Sequence, residues 1–403
     1  MAIERPHTRS PDLGWRVSFG ANVRTRLACK QIVAWKSIAD PDKIPAPRSA
    51  WMSRGCPACR RRQERGTVVS NRRMFLKTLA ATGAAALAPS SGLFGQEGVV
   101  RLNVRGGAID VHHHFQPPGG TSNRPWSPQM SLDSMEKFNI GVAILSMTQN
   151  GDLLYNGTEK GRAAVRAGND FGAKLMHDHP TKFGLMGGIP MPDIDGSLRE
   201  VEYVYDTLKV DAIGIYSNDN KGRWPGDPYF EPLWQELNRR KAIVYMHPLA
   251  PTCCSNLKYG PAASMVEYDF DVTRGVASLI VNGVMFRYPD IRFITVHSGG
   301  TVPMLVGRMK DRMPPGSEKY IPNGLYAEVR KWYFDIAHAS FPWPMAAMRA
   351  FMPESQILFG TDYAPEPIES TVDELPGLKL ARPFEQMMLR GNAERLFPRF
   401  KLT

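Results

Sequence analysis

From residue 108 onward, eight short apolar runs alternate with longer stretches of helical periodicity. The runs cover residues 108–111, 142–146, 183–187, 212–216, 242–246, 291–296, 332–337 and 357–360. Each has the length of a strand and none has a polar face, the pattern of a parallel strand covered on both sides. Helical patterns separate them at 159–179, 196–209, 229–240, 264–287, 302–312 and 344–351. The first connection is Pro- and Gly-rich and keeps only a short helix at 132–138, while a last helix at 384–396 closes the chain. Eight strands, seven crossovers and a closing helix predict an α/β fold, a (β/α)8 TIM barrel, and about 290 residues is a normal size for one. A doubly wound open sheet would carry a Gly-rich phosphate loop after its first strand, and none follows this one.

Polar residues gather where the runs end. The first run continues into His112-His113-His114, the fifth into His247, the sixth into His297 and the eighth into Asp362. In a barrel the carboxyl ends of the strands form one ring, so these groups are expected to face a common cavity. Side chains two apart on a strand share a face, so His112 and His114 converge while His113 turns away into a structural role. Three imidazoles and a carboxylate suit one divalent metal, zinc first and manganese second. His177 and His179 stand at a helix end before Pro180 and are read as capping residues. His338, in Asp335-Ile-Ala-His338, is placed no more firmly than at the cavity mouth.

The net charge of +11 belongs to the first part of the chain. Residues 1–77 hold 17 Lys and Arg against 5 Asp and Glu, whereas residues 101–403 hold 33 of each sign. A neutral body gives no reason to expect nucleic-acid binding. Within the leader, Asn71-Arg72-Arg73-Met-Phe-Leu-Lys77 precedes an Ala-rich run that is too short to span a bilayer and ends in Ala86-Leu-Ala88. This resembles a bacterial twin-arginine signal. Residues 1–100 are therefore expected to be a disordered or removed leader, with the signal at about 70–88. Residues 101–403 are expected to form the barrel. The export machinery is an expected partner and the periplasm the expected destination, with the cytoplasm as the alternative. Residues 1–51 lack periodicity and are read as untranslated, with synthesis starting at Met52. Cys56-Pro-Ala-Cys59 has metal-site spacing without a second pair, and adjacent Cys253 and Cys254 do not suggest a disulfide framework.

The motifs at the strand ends resemble the amidohydrolase superfamily. Ile109-Asp-Val-His-His-His-Phe115, Met246-His-Pro248, His297-Ser-Gly-Gly300 and Gly360-Thr-Asp-Tyr-Ala-Pro365 look like its signatures. Gly391-Asn-Ala-Glu-Arg-Leu-Phe397 is similar to the closing helix of the branch that contains aminocarboxymuconate-semialdehyde decarboxylase and the o-hydroxybenzoate decarboxylases, with the 6-methylsalicylate type nearest. The resemblance implies that His112, His114, His247 and Asp362 bind one divalent metal and that His297 is the acid/base. Asp362 is a second candidate for proton delivery. The implied reaction is non-oxidative decarboxylation of a small aromatic or unsaturated carboxylic acid, and a homodimer is implied as well. Arg124 is the one candidate for a substrate-binding arginine. Hydrolysis of a lactone or amide by a metal-bound water is the rival chemistry. A barrel that binds without turnover would be expected to lack part of the set, and all five positions are intact.

Overall fold

The computed structural model describes residues 99–403 except 118–124, 148–155 and 255–261. The twin-arginine motif, Cys56, Cys59, Met52 and Arg124 lie outside the described residues. Within the compact unit Ser91–Thr403, eight parallel strands pair in chain order: β1 (Ala108–His114), β2 (Ile140–Ser146), β3 (Phe183–Gly188), β4 (Ala212–Tyr216), β5 (Ile243–His247), β6 (Arg292–Thr295), β7 (Tyr333–Asp335) and β8 (Ile357–Leu358). The chain just beyond β8 closes the ring. Val111 N–H donates to Phe359 O at 3.0 Å and Asp362 N–H to His112 O at 2.8 Å. The expected barrel is present.

Two apolar layers hold it. Inside the barrel, Ile109, Val111, Val142, Ile144, Met186, Ile243, Ile294 and Leu358 interdigitate. Outside, Leu185, Phe293, Trp332 and Phe334 pack under the helices. Those helices are α1 (Pro128–Phe138), α2 (Glu159–Asp178), α3 (Ile194–Tyr203), α4 (Glu231–Arg239), α5 (Glu267–Val281), α6 (Val302–Asp311) and α7 (Pro342–Phe351). Among the described residues no helix is long and apolar enough to cross a membrane. The closing helix runs through Arg382–Gln386, Met387–Gly391 and Asn392–Leu396. Arg390 bonds the carbonyls of Gly106 and Gly107, just before β1, and Asn392 bonds that of Ile357, at the start of β8. Leu396, Phe397 and Phe400 join the inner layer. The closing helix therefore plugs the amino end of the barrel and leaves the carboxyl end for a site.

Element ends depart from the sequence expectation where side chains replace backbone partners. α1 starts at Pro128, not 132, because Ser127 Oγ accepts from Met130 N–H and proline suits the first turn. The helix expected at 264–287 breaks at Gly283, whose φ of +72° ends α5 before the short turn Val284–Arg287. β7 stops at Asp335 rather than 337 because the Asp335 carboxylate takes the Ala337 N–H at 3.1 Å. The closing helix widens to a π turn at Met387–Gly391, and Met388 O accepts from Phe359 N–H at 3.1 Å, ending β8 early.

Candidate metal centre

β1 reaches the expected outcome by an unexpected route. Ile109 and Val111 line the barrel interior, so unbroken alternation would send His113 inward. Asp110 pairs with Ala143 and His113 with Leu145, so β1 spends one extra residue against β2. This bulge resets the parity. His112 and His114 then face the cavity, and His113 turns to Asp110 Oδ2 at 3.0 Å and Ser131 Oγ at 2.9 Å, as a structural residue would.

His112 Nε2 stands 3.2 Å from His114 Nε2, and the two lie 3.2 and 2.8 Å from Asp362 Oδ1. Donor atoms of His112, His247, His297 and Asp362 all fall within 4.8 Å of one another. The expected ligands His112, His114, His247 and Asp362 are thus brought together, and His297 joins the same cluster. Its ring stacks on His112 with centroids 5.2 Å apart, and its Nε2 is 3.5 Å from Asp362 Oδ2. His338 arrives from the loop after β7, with Nε2 3.0 Å from the same oxygen.

The tautomers test whether these residues fit a cation. Pro248 O can only accept, so His247 Nδ1 donates to it at 2.9 Å and Nε2 is left with its lone pair. His112 Nδ1 is 2.9 Å from Asp335 Oδ2, which orients that ring the same way. Bare Nε2 lone pairs beside a carboxylate oxygen with no hydrogen-bond partner call for a positive centre. Donors about 2 Å from a zinc ion stand roughly 3–4 Å apart, close to the 2.8–3.2 Å spacings among His112, His114 and Asp362, while the wider cluster extends to 4.8 Å. The donor set fits.

The electrostatics show how strongly the carboxylates call for positive charge here, a proton on His112 standing where a cation would otherwise balance them. Burial opposes a charge on His112, but the Asp362 and Asp335 carboxylates outweigh it and push the ring up to about 10. Burial likewise opposes ionisation of Asp362, yet the facing imidazoles, His112 first, hold its carboxyl well below the usual range. Burial draws His114 down and His247 well down. His297 is raised to about 9, as hydrogen bonding to Asp269 and Asp362 overcomes its burial.

Several contributors were not legible in the chain. Asp335 Oδ1 accepts the His297 N–H at 2.9 Å while Oδ2 holds the His112 ring. It ends a strand as the expected residues do, and that was the missed signal. Asp110 Oδ1 accepts the amides of His112 and Thr361, and Oδ2 the Thr361 hydroxyl, pinning the end of β8 to β1. Asp269, 3.5 Å from His297 Nδ1, comes from α5 and has no sequence pattern to announce it. Gly300 keeps His297 close to that helix, since a Cβ there would stand 2.2 Å from Asp269 O. His177 and His179 stay in the end of α2, away from this cluster.

Replacing Asp335 by Asn keeps the shape but weakens the hold on His112 Nδ1. Metal affinity should fall about 10- to 100-fold, measured by competition with a chromogenic chelator; unchanged affinity would remove Asp335 from the site.

Comparison with known proteins places the chain in a family. Decarboxylase yanB of Aspergillus niger is 31% identical over 325 residues, covering 73% of this chain and 88% of that one. The 6-methylsalicylic acid decarboxylase of Penicillium expansum is 29% identical over 313 residues, covering 73% and 97%. The expected carboxy-lyase character is matched by these relatives. Among solved structures, 2,6-dihydroxybenzoate decarboxylase from Rhizobium superposes with a TM-score of 0.66 at 18% identity, covering 73% of this chain and 99% of that one. A dihydroxybenzoic acid decarboxylase from Polaromonas, with bound manganese and an inhibitor, gives 0.63 at 19%, covering 73% and 98%. At such identities these two speak for the fold alone. The family model described as amidohydrolase matches residues 109–399, from the bulged first strand through the closing helix, and the chain belongs to that family.

Proposed function

We propose that this chain is a metal-dependent, non-oxidative decarboxylase of a small aromatic acid of the o-hydroxybenzoate type. The observation that carries this reading is its similarity to 6-methylsalicylic acid decarboxylases along nearly their whole length. The convergent donors supply the chemistry. His112, His114, His247 and Asp362 would hold one divalent metal, zinc before manganese on the donor set. Such an ion supplies Lewis acidity toward a carboxylate, a neighbouring oxygen and the adjacent π system.

The protein supplies position and a proton. When the bond to the carboxylate carbon breaks, its electron pair stays on the ring carbon and CO2 leaves. That carbon must then gain a proton. His297 is the proposed donor, held at the edge of the cluster with its backbone N–H on Asp335 and Nδ1 beside Asp269. Asp362 is the second candidate for the same transfer.

The test is CO2 release from 6-methylsalicylate, salicylate and 2,6-dihydroxybenzoate by metal-loaded protein. One CO2 for each acid consumed is expected. Opening of lactones with no CO2 from any of these acids would replace the reading with the hydrolase. We also propose export to the bacterial periplasm by the twin-arginine route, on the strength of Arg72-Arg73 and the apolar run after it. Cell fractionation of the wild type against Arg72→Lys/Arg73→Lys tests this, and equal cytoplasmic retention of both would overturn it.

A further inference from the structure

We propose that His338 sets substrate specificity by accepting a hydrogen bond from the ring hydroxyl of an ortho-hydroxylated aromatic acid. This deepens, and rests on, the decarboxylase reading.

Exposure is graded across the site. The side chains of His112 and His114 are sealed off, those of His297 and Asp362 are 6% and 10% exposed, and that of His338 is 46% exposed. Its neighbours Ala337 and Ala339 are buried. His338 is therefore the imidazole of the cluster that a ligand approaching from solvent meets first.

Its tautomer is fixed by its partner. The ionised Asp362 carboxylate can only accept, so Nε2–H donates to Oδ2 across 3.0 Å. In that tautomer the lone pair lies on Nδ1. Among the described residues, that nitrogen has no hydrogen-bond partner. An acceptor left open one ring away from Asp362 is suited to a donor that sits beside the group Asp362 helps to engage. In an o-hydroxybenzoate, the phenolic O–H adjoins the carboxylate and is such a donor. Benzoate offers none.

The backbone is committed to this placement. His338 has a φ of +54°, in the left-handed region that few non-glycine residues adopt. The loop is pinned on both sides, with Ala337 N–H on the Asp335 carboxylate at 3.1 Å and Ala339 N–H on Ile336 O at 2.8 Å. Conformations of this kind persist where their surroundings over-determine them, and they gather at functional sites.

The test reads binding rather than turnover. Calorimetry on the metal-loaded full chain would compare salicylate with benzoate in the wild type, His338→Gly and His338→Asn. Glycine suits the positive φ and removes the acceptor. Asparagine tolerates that φ and puts an amide oxygen near the position of Nδ1. The salicylate-over-benzoate affinity ratio should fall roughly 3- to 10-fold in the glycine variant, the worth of one neutral hydrogen bond. In the asparagine variant it should stay within about 2-fold of wild type. Benzoate affinity and metal per chain should not move. An unmoved ratio overturns the assignment. So does a parallel loss of both ligands, which would mark His338 as a donor to the carboxylate, and so does a wild type that binds neither acid. The two readings fail separately: the expected ratio change without CO2 release sinks the decarboxylase and spares His338, while CO2 release with an unmoved ratio does the reverse.

Discussion

Protein carrying Asp362→Ala is expected to purify with no stoichiometric metal, where the wild type holds about one ion per chain, and to lose turnover at least about 1,000-fold. The physical reason is the number of groups that depend on this carboxylate. Imidazole nitrogens of His112, His114, His297 and His338 lie within 3.5 Å of its two oxygens. Its removal takes away both a proposed ligand and the negative charge that balances the cluster. Lewis-acid stabilisation of developing charge contributes several kcal/mol, and each 1.4 kcal/mol is about tenfold in rate. Elemental analysis of wild type and variant, purified side by side without chelator, decides the matter. A full complement of metal in the variant would show that the ion sits elsewhere and would remove the basis for the centre described above.

The second large effect separates chemistry from binding. His297→Asn should keep about one metal per chain and lose turnover by about 100- to 10,000-fold, the usual contribution of a positioned acid or base. Asparagine tolerates the positive φ of +53° at this position, so the backbone need not rearrange. Single-turnover assays with a metal assay on the same sample read both quantities. Loss of the metal together with activity would make His297 a ligand, a role its place in the cluster permits. Full activity would refute the proton-transfer role outright.

Much of this was legible in the chain because a barrel turns local patterns into global ones. A run of four to six apolar residues reports a strand, and the residue that ends the run reports the rim of the cavity. His112, His114, His247, His297 and Asp362 could be placed by that rule alone. The rule says less about groups whose partners are far apart in sequence. Asp269 reaches His297 from a helix, and Asp110 ties β1 to Thr361 across 251 positions. The bulge in β1 was equally invisible. Strict alternation from His112 happened to give the right faces for the three histidines, but the same alternation continued from Ile109 would have inverted them. Register is settled by neighbouring strands, not by the strand itself.

The left-handed backbone at His297, His338 and Asp362 has a consequence for anyone redesigning the site. At each of these positions the main chain limits the usable alphabet before any chemistry is chosen. Glycine, asparagine and aspartate enter the left-handed region readily, whereas β-branched residues are strongly disfavoured there. A randomised library across the three codons would therefore return mostly folded members from a handful of amino acids, and much of its diversity would be lost to misfolding. New specificity is better sought in side chains beside His247 on ordinary strand or helix backbone, such as Tyr216 and Tyr268, where the main chain sets no such limit.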